Sequence, residues 1–246
     1  MISSHAWLDA TIREQIVAVV DLKSGLAVHA VAGKRTAYQP IAIQGEADGD
    51  PFSLIAHYRR LGIRSLYIAD LDSILQGQPQ VELLRGLIAT TPDFDEVLVD
   101  IGLPETDAMA SFLALARQHP RVFVIAATEC ATGVTALRRF EGQLPYSQVS
   151  LGMDYRDGAF LGGEDAEERW LEFAQPLGIE RVVALDMATV GTSRGPSVAA
   201  ICSRIRCHWP AVKLYSGGGI RDASDVKLLQ QAGCDRCLVA TALLEP

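Results

Sequence analysis

The sequence predicts an α/β protein: one (β/α)8 TIM barrel with an internal half-barrel duplication and a shortened C-terminal helix. Three observations predict it. Short runs rich in aliphatic residues alternate with helical stretches along the chain. The length of 246 residues is close to that of one such barrel. A motif after the first strand also recurs half a barrel later, where Asp21-Leu-Lys-Ser-Gly25 returns as Asp154-Tyr-Arg-Asp-Gly158.

The strands are read, in order, at Ile16–Asp21, Ser65–Asp70, Glu96–Asp100, Arg121–Ala126, Gln148–Asp154, Arg181–Asp186, Val212–Ser216 and Arg236–Ala240. Each is mostly apolar at consecutive positions, as parallel strands covered on both faces are. Helices are read at Phe52–Leu61, Thr106–Gln118, Ala166–Gln175 and Ser197–His208. Start signals stand at Asp50-Pro51, Gly195-Pro196-Ser197 and Asp222-Ala-Ser-Asp225. Leu61-Gly62, Leu177-Gly178 and Ala232-Gly233 mark helix ends. Strict alternation favours a closed barrel over an open sheet, and no Pro/Ser-rich linker splits residues 1–246. The expected parts are an extension over 1–15 and half-barrels over 16–140 and 145–244.

The chain stops at Leu244-Glu245-Pro246, a few residues after the eighth strand, so a full eighth helix is expected to be missing. Ser3–Glu14 is expected to be helical, with an apolar stripe of Ala6, Trp7, Ala10 and Ile12 that covers the seam. A subunit contact, as in a homo-oligomer, is the other way to cover it.

The net charge of −8 comes from dispersed acids with no basic block, which argues against nucleic acid or an anionic membrane as partner. An anionic small substrate stays open, because backbone N–H groups bind phosphate without net positive charge. No apolar run approaches the roughly 20 residues of a membrane span, and no signal peptide is seen; a cytoplasmic protein is expected. Cys234 and Cys237 form a C-x-x-C, but no second ligand pair exists for zinc. Buried, inert thiols explain them better. No metal and no organic cofactor is expected.

Two features carry chemistry. Asp21 and Asp154 end the first and fifth strands, so a barrel sets them across the mouth from one another. A single strand-end Asp is equally well a cap or turn acceptor. An opposed pair in unequal surroundings can instead serve as acid and base. The second feature is Ser216-Gly217-Gly218-Gly219 after the seventh strand, where successive glycines let backbone N–H groups close on a phosphate. Ala240 and Thr241, at the end of the eighth strand, offer further donors.

With Val20-Asp-Leu-Lys23, Val190-Gly-Thr192 and Ala240-Thr-Ala-Leu243, these motifs resemble the histidine-biosynthesis barrel family from about Ile16 to Leu244. The likeness is closer to its ribotide isomerase branch than to its cyclase branch. The resemblance implies acid and base roles for Asp21 and Asp154 in an Amadori-type opening of an aminated ribose ring. It also implies a substrate site that includes Gly191 and Thr192, and glycine loops for two phosphates after the third and seventh strands.

This chain departs from the pattern. After the third strand it reads Val99-Asp-Ile-Gly-Leu-Pro104, with Asp100 in place of a phosphate-cradling glycine and Pro104 in place of an arginine. A carboxylate there repels phosphate at close range. Leu185 and Val190 stand where the family has a catalytic Thr and an Asp. Asp186 cannot simply replace that Thr, because alternate residues of a strand face opposite sides. Lys23, Asp100 and Asp186 complete the catalytic candidates. His29 and Arg35, in a first loop read as a small hairpin over the mouth, complete the substrate-binding candidates. The expectation is an isomerase-like enzyme acting on a singly phosphorylated small molecule. The rivals are a true histidine-pathway isomerase with an altered second phosphate site, and a barrel that binds without catalysis.

Overall fold

The computed structural model describes residues 5–33, 38–42, 48–104 and 106–244. Its eight parallel strands are β1 (Ile16–Lys23), β4 (Ser65–Asp70), β5 (Glu96–Asp100), β6 (Val122–Ala127), β7 (Val149–Arg156), β9 (Arg181–Asp186), β10 (Lys213–Gly217) and β11 (Arg236–Val239). They pair in that order, and β11 returns to β1 through Ile16↔Cys237, Val17↔Leu238 and Ala18↔Val239, which closes the barrel. The β4, β5 and β9 ranges are as expected, and the others differ only by a residue or two at an end. The longest extensions are those of β1 to Lys23 and β7 to Arg156.

Those two extensions have one cause. β1 turns back into β2 (Leu26–His29), and β7 into β8 (Ala159–Phe160), as antiparallel hairpins with two-residue loops. The loops are Ser24-Gly25 (φ 52° and 82°) and Asp157-Gly158 (φ 51° and 77°). Two successive positive φ values are the type I′ signature that matches strand twist, and Gly suits its second position. The duplicated motif is therefore an Asp near the C-terminal end of a barrel strand followed by a hairpin turn. A short strand, β3 (Gln39–Pro40), pairs with β2.

Side-chain parity divides each barrel strand. Val17, Tyr67, Leu98, Phe123, Ile125, Val183, Tyr215 and Leu238 point into the barrel and form the inner core. The alternate positions (Ala18, Val20 and Leu22 on β1) face the helices and join the larger outer core. At the floor, Glu96 is almost fully buried and meets Lys213 Nζ at 2.9 Å, Tyr215 Oη at 2.7 Å and Arg236 Nε at 3.7 Å. Burial alone would raise its pKa, but hydrogen bonds from Tyr215 and Lys213 hold it below the usual carboxylate value.

The helices are α1 (Ala10–Gln15), α2 (Pro51–Arg60), α3 (Leu71–Gln76), α4 (Val81–Ala89), α5 (Asp107–Arg117), α6 (Glu167–Ala174), α7 (Ala199–His208) and α8 (Ala223–Gln231). Alternation is not strict: after β6 the chain makes short 3₁₀ turns, Thr128–Cys130 and Val134–Phe140, in place of an α-helix. The last strand is likewise followed by a 3₁₀ turn, Thr241–Leu243.

The N-terminal segment corrects an expectation. Helix α1 starts only at Ala10, where Asp9 accepts from the Ile12 amide at 2.9 Å, a local cap that competes with earlier helix. Ala6 and Ala10 are exposed, while Leu8 and Ile12 are buried, with Trp7 packed beside them. Residues 3 and 4 of the expected helix lie outside the described residues. The segment does reach the seam: His5 Nε2 lies 3.2 Å from the Leu243 carbonyl, and His57 Nε2 of α2 lies 2.8 Å from the same oxygen.

Candidate functional site

At the C-terminal ends of the strands lies a cavity of about 110 Å³, far above the roughly 10–15 Å³ that one water needs. Parity explains its acids. Where β1, β5 and β7 reach the mouth, the inward position is Asp21, Asp100 and Asp154, and all three line the cavity with Glu129. On β4 and β9 the acid stands one residue later and faces the helices.

That offset removes Asp186 from the cavity. Its carboxylate accepts the backbone N–H of Asp157 at 3.1 Å, Gly158 at 2.8 Å and Ala188 at 3.0 Å, which ties the β7–β8 hairpin to the turn after β9. Asp70 has the matching place in the first half, accepting from the amides of Ser73 at 3.1 Å and Gln80 at 2.7 Å. Ser216 is also outward: its fully buried hydroxyl donates to the Ala184 carbonyl at 2.7 Å. Thr192 donates to the Thr189 carbonyl at 2.8 Å within its own loop. Asp186, Ser216 and Thr192, all expected in the site, therefore have backbone partners in the scaffold.

Other expected residues are brought together. Gly191, Gly218, Gly219, Ala240 and Thr241 line the cavity, and Gly217 ends β10 immediately before the rim. Gly218 (φ 101°) and Gly219 (φ 75°) lie in the left-handed region that disfavours side chains. A Cβ on Gly219 would also stand 2.7 Å from the Gly195 carbonyl oxygen. Leu185 and Val190 line the cavity with Met187, so this wall is apolar where the resemblance led one to expect polar groups.

The first loop leans over the same rim. His29 Nε2 lies 2.9 Å from Thr241 Oγ1, and the Ala32 amide donates to the Val190 carbonyl at 2.8 Å. Lys23 is half-buried at the end of β1 and is not among the lining residues. Arg35, like Lys34, lies outside the described residues.

The electrostatics single out one carboxyl. Burial pushes Asp154 from an ordinary 3.8 up to about 8, and the charges of Glu129 and Asp100 add to it. Its side chain is held by Thr128 Oγ1 at 3.3 Å and the Glu129 amide at 3.2 Å, both on Oδ2. Tyr67 is a lining residue missed in the sequence. Its hydroxyl donates to Asp100 Oδ2 at 3.2 Å, and burial, then Asp100, Asp154 and Asp21, keep it protonated far above the usual range. A tyrosine in Ser65-Leu-Tyr-Ile-Ala-Asp70 reads as an ordinary strand residue, but it shares inward parity with Ala69. Glu129 was also missed; it follows β6 within a turn, where no strand period guides the reading.

Such an arrangement brings a carboxyl whose burial favours its protonated form, three further carboxyl groups and a glycine-rich rim into one cavity. Comparison with known proteins agrees with the geometry. The family model described as "Histidine biosynthesis protein" matches residues 15–246. An uncharacterized protein of Methanocaldococcus jannaschii is 26% identical over 231 residues, covering 93% of this chain and 92% of that protein. A 1-(5-phosphoribosyl)-5-((5-phosphoribosylamino)methylideneamino)imidazole-4-carboxamide isomerase of Moorella thermoacetica is 27% identical over 229 residues, covering 89% and 87%. The isomerase of the same name from Thermus thermophilus is 26% identical over 241 residues, with 94% of each chain covered.

Proposed function

The chain belongs to the histidine biosynthesis protein family, and from that premise we propose that it is an isomerase-like enzyme acting on a phosphorylated small molecule. Asp154 is the acid, Asp21 the base, and the rim at Gly218, Gly219, Ala240 and Thr241 takes the phosphate. The observation that carries the reading is the burial of Asp154, which pushes its pKa up to about 8, in a cavity that Asp21 also lines. A carboxyl that keeps its proton near neutral pH can give it to a departing ring oxygen, while an ionised one removes the proton from the neighbouring carbon. In an aminated sugar this pair of transfers opens the ring and leaves an enaminol, whose tautomerisation, the hydroxyl proton leaving O2 and a proton reaching C1, gives the ketose-type product with no net change in composition. Proton transfer then needs no group beyond the side chains.

The substrate is proposed to carry one phosphate, because Asp100 occupies the place of the second glycine loop. Mass spectrometry of metabolites retained by the purified protein tests this, followed by turnover of the retained compound. A phosphorylated ligand is expected, together with at least about a hundredfold loss of turnover in Asp21→Asn and in Asp154→Asn. Retention of unphosphorylated compounds only, or near-normal turnover in both variants, overturns the reading. Full-length similarity to the isomerases supports a second reading, the histidine-pathway reaction itself. Growth of an isomerase-deficient strain rescued by this gene would select it.

A further inference from the structure

We propose that Thr128 is the positioning residue of Asp154, marking Oδ2 as the accepting oxygen of the carboxyl and leaving Oδ1 to carry the proton toward the cavity. The proposal rests on the reading of Asp154 as the acid.

Strand β6 ends at Ala127, so the β6–β7 ladder has no next strand residue beside Asp154. The Thr128 side chain takes that place. Its fully buried hydroxyl accepts the Asp154 N–H at 2.9 Å and donates to Asp154 Oδ2 at 3.3 Å. Because the amide hydrogen already points at the hydroxyl oxygen, the hydroxyl's single hydrogen is committed to the carboxyl. The Glu129 amide donates to the same Oδ2 at 3.2 Å. An oxygen that receives two hydrogens is a poor place for a third, so the proton of the neutral acid belongs on Oδ1. Among the described residues, no donor to Oδ1 is found, and Asp154 lines the cavity.

The doubled fold supplies a comparison inside the same molecule. Ala127-Thr128 lies at the end of the fourth barrel strand and Ala240-Thr241 just after the eighth, and each threonine opens a 3₁₀ turn. Each threonine stands beside the strand that carries a catalytic-face Asp. Thr241 pairs instead with His29. Two like positions thus have unlike partners, and only the threonine beside Asp154 is bonded to that acid's backbone and carboxyl together. The ionisable groups that share the cavity with Asp154 are Glu129 after β6, Asp100 on β5, Tyr67 on β4 and Asp21 on β1, while β9 presents Val183 and Leu185. None of these is altered by a change at Thr128.

The test needs no substrate. Titration of the Asp154 carboxyl by carbon NMR in the free protein is compared for wild type, T128V and T128S, with thermal melts to confirm folding. Thr128→Val should raise the Asp154 pKa by about one unit, the scale of one hydrogen bond to an ionised carboxyl, and Thr128→Ser should restore it. A purely structural threonine would lower the melting temperature in T128V and leave the titration in place; that result overturns the proposal alone. If wild-type Asp154 titrates near 4, the acid reading falls and the proposal with it. Should T128V fail to fold, T128A is titrated against the same two expectations.

Discussion

A carboxyl with 8% of its surface exposed and like charges nearby ionises only at a cost, and that cost belongs to the folded state alone. The unfolded chain releases this proton near 3.8, the folded one near 8. Below the lower value both states hold the proton and no penalty arises. As pH rises between the two, the unfolded state is increasingly favoured, and above about 8 the full penalty is present. Asp154→Asn removes the titration. It is expected to stabilise the protein by at least about 1 kcal/mol at pH 7, since a tenfold change in proton affinity is worth about 1.4 kcal/mol. The gain should vanish near pH 3.5. Denaturant melts of both proteins at pH 3.5, 5 and 7 check this, and a pH-independent difference would refute the raised pKa. The same residue was legible in the sequence as one of a duplicated pair, but its protonation was not. That depends first on burial of the carboxyl and then on the charges of Glu129 and Asp100, brought to it from the turn after β6 and from β5.

At the scale of elements, strand parity decides which acids can serve a site. Asp154 and Asp186 look alike in sequence, since both close an apolar run. The inward register of Val183 and Leu185 turns Asp186 outward, while that of Ser150 and Gly152 turns Asp154 inward. The alternation rule already counted against Asp186 in the sequence; its actual work did not show there, because its partners are backbone amides of a hairpin. Ser216 was misread for the same reason, as a polar residue next to glycines that faces away from them. The hairpin hidden in Asp-x-x-x-Gly was also legible in part, through Gly25 and Gly158, although only positive φ at Ser24 and Asp157 identifies the turn. Asp186→Ala strands three backbone donors at once and should cost about 2–4 kcal/mol, as loss of a group bonded to several amides does. Asp186→Asn, which keeps an accepting oxygen, should cost less and leave the Asp154 titration within about half a unit of wild type. A cost in Asp186→Ala below about 0.5 kcal/mol would show that the hairpin does not depend on this carboxylate.

Across the whole molecule, the closing β11–β1 pair is covered in an uneven way. Elsewhere an α-helix or longer 3₁₀ segments pack over the strands, whereas after β11 only Thr241–Leu243 follows in the described chain. Leu243 is fully buried there, with Leu8 and Ile12 in the same outer core and Trp7 beside them. The Leu243 carbonyl receives both His5 and His57, so one oxygen joins the N-terminal segment, α2 and the last turn. A carbonyl only accepts, which requires Nε2–H on both rings, and protonation of either ring keeps that donor. The opposite end of this turn is Thr241, which lines the cavity and meets His29. One three-residue turn therefore both anchors the seam and contributes to the cavity rim. Burying a Leu or Ile side chain contributes roughly 1.5–3 kcal/mol, so removal of residues 1–9 should lower stability by about 2 kcal/mol or more through Leu8 alone. Leu8→Ala in the full chain should reproduce most of that loss, and His57→Phe should lose the anchor while keeping an aromatic ring against Tyr58. If the seam also sets the rim, titration with inorganic phosphate should show weaker binding in the deletion than in wild type. Unchanged melting temperature in the deletion would show that the N-terminal segment does not close the barrel. A lower melting temperature with unchanged phosphate affinity would show that the turn holds the seam without shaping the rim.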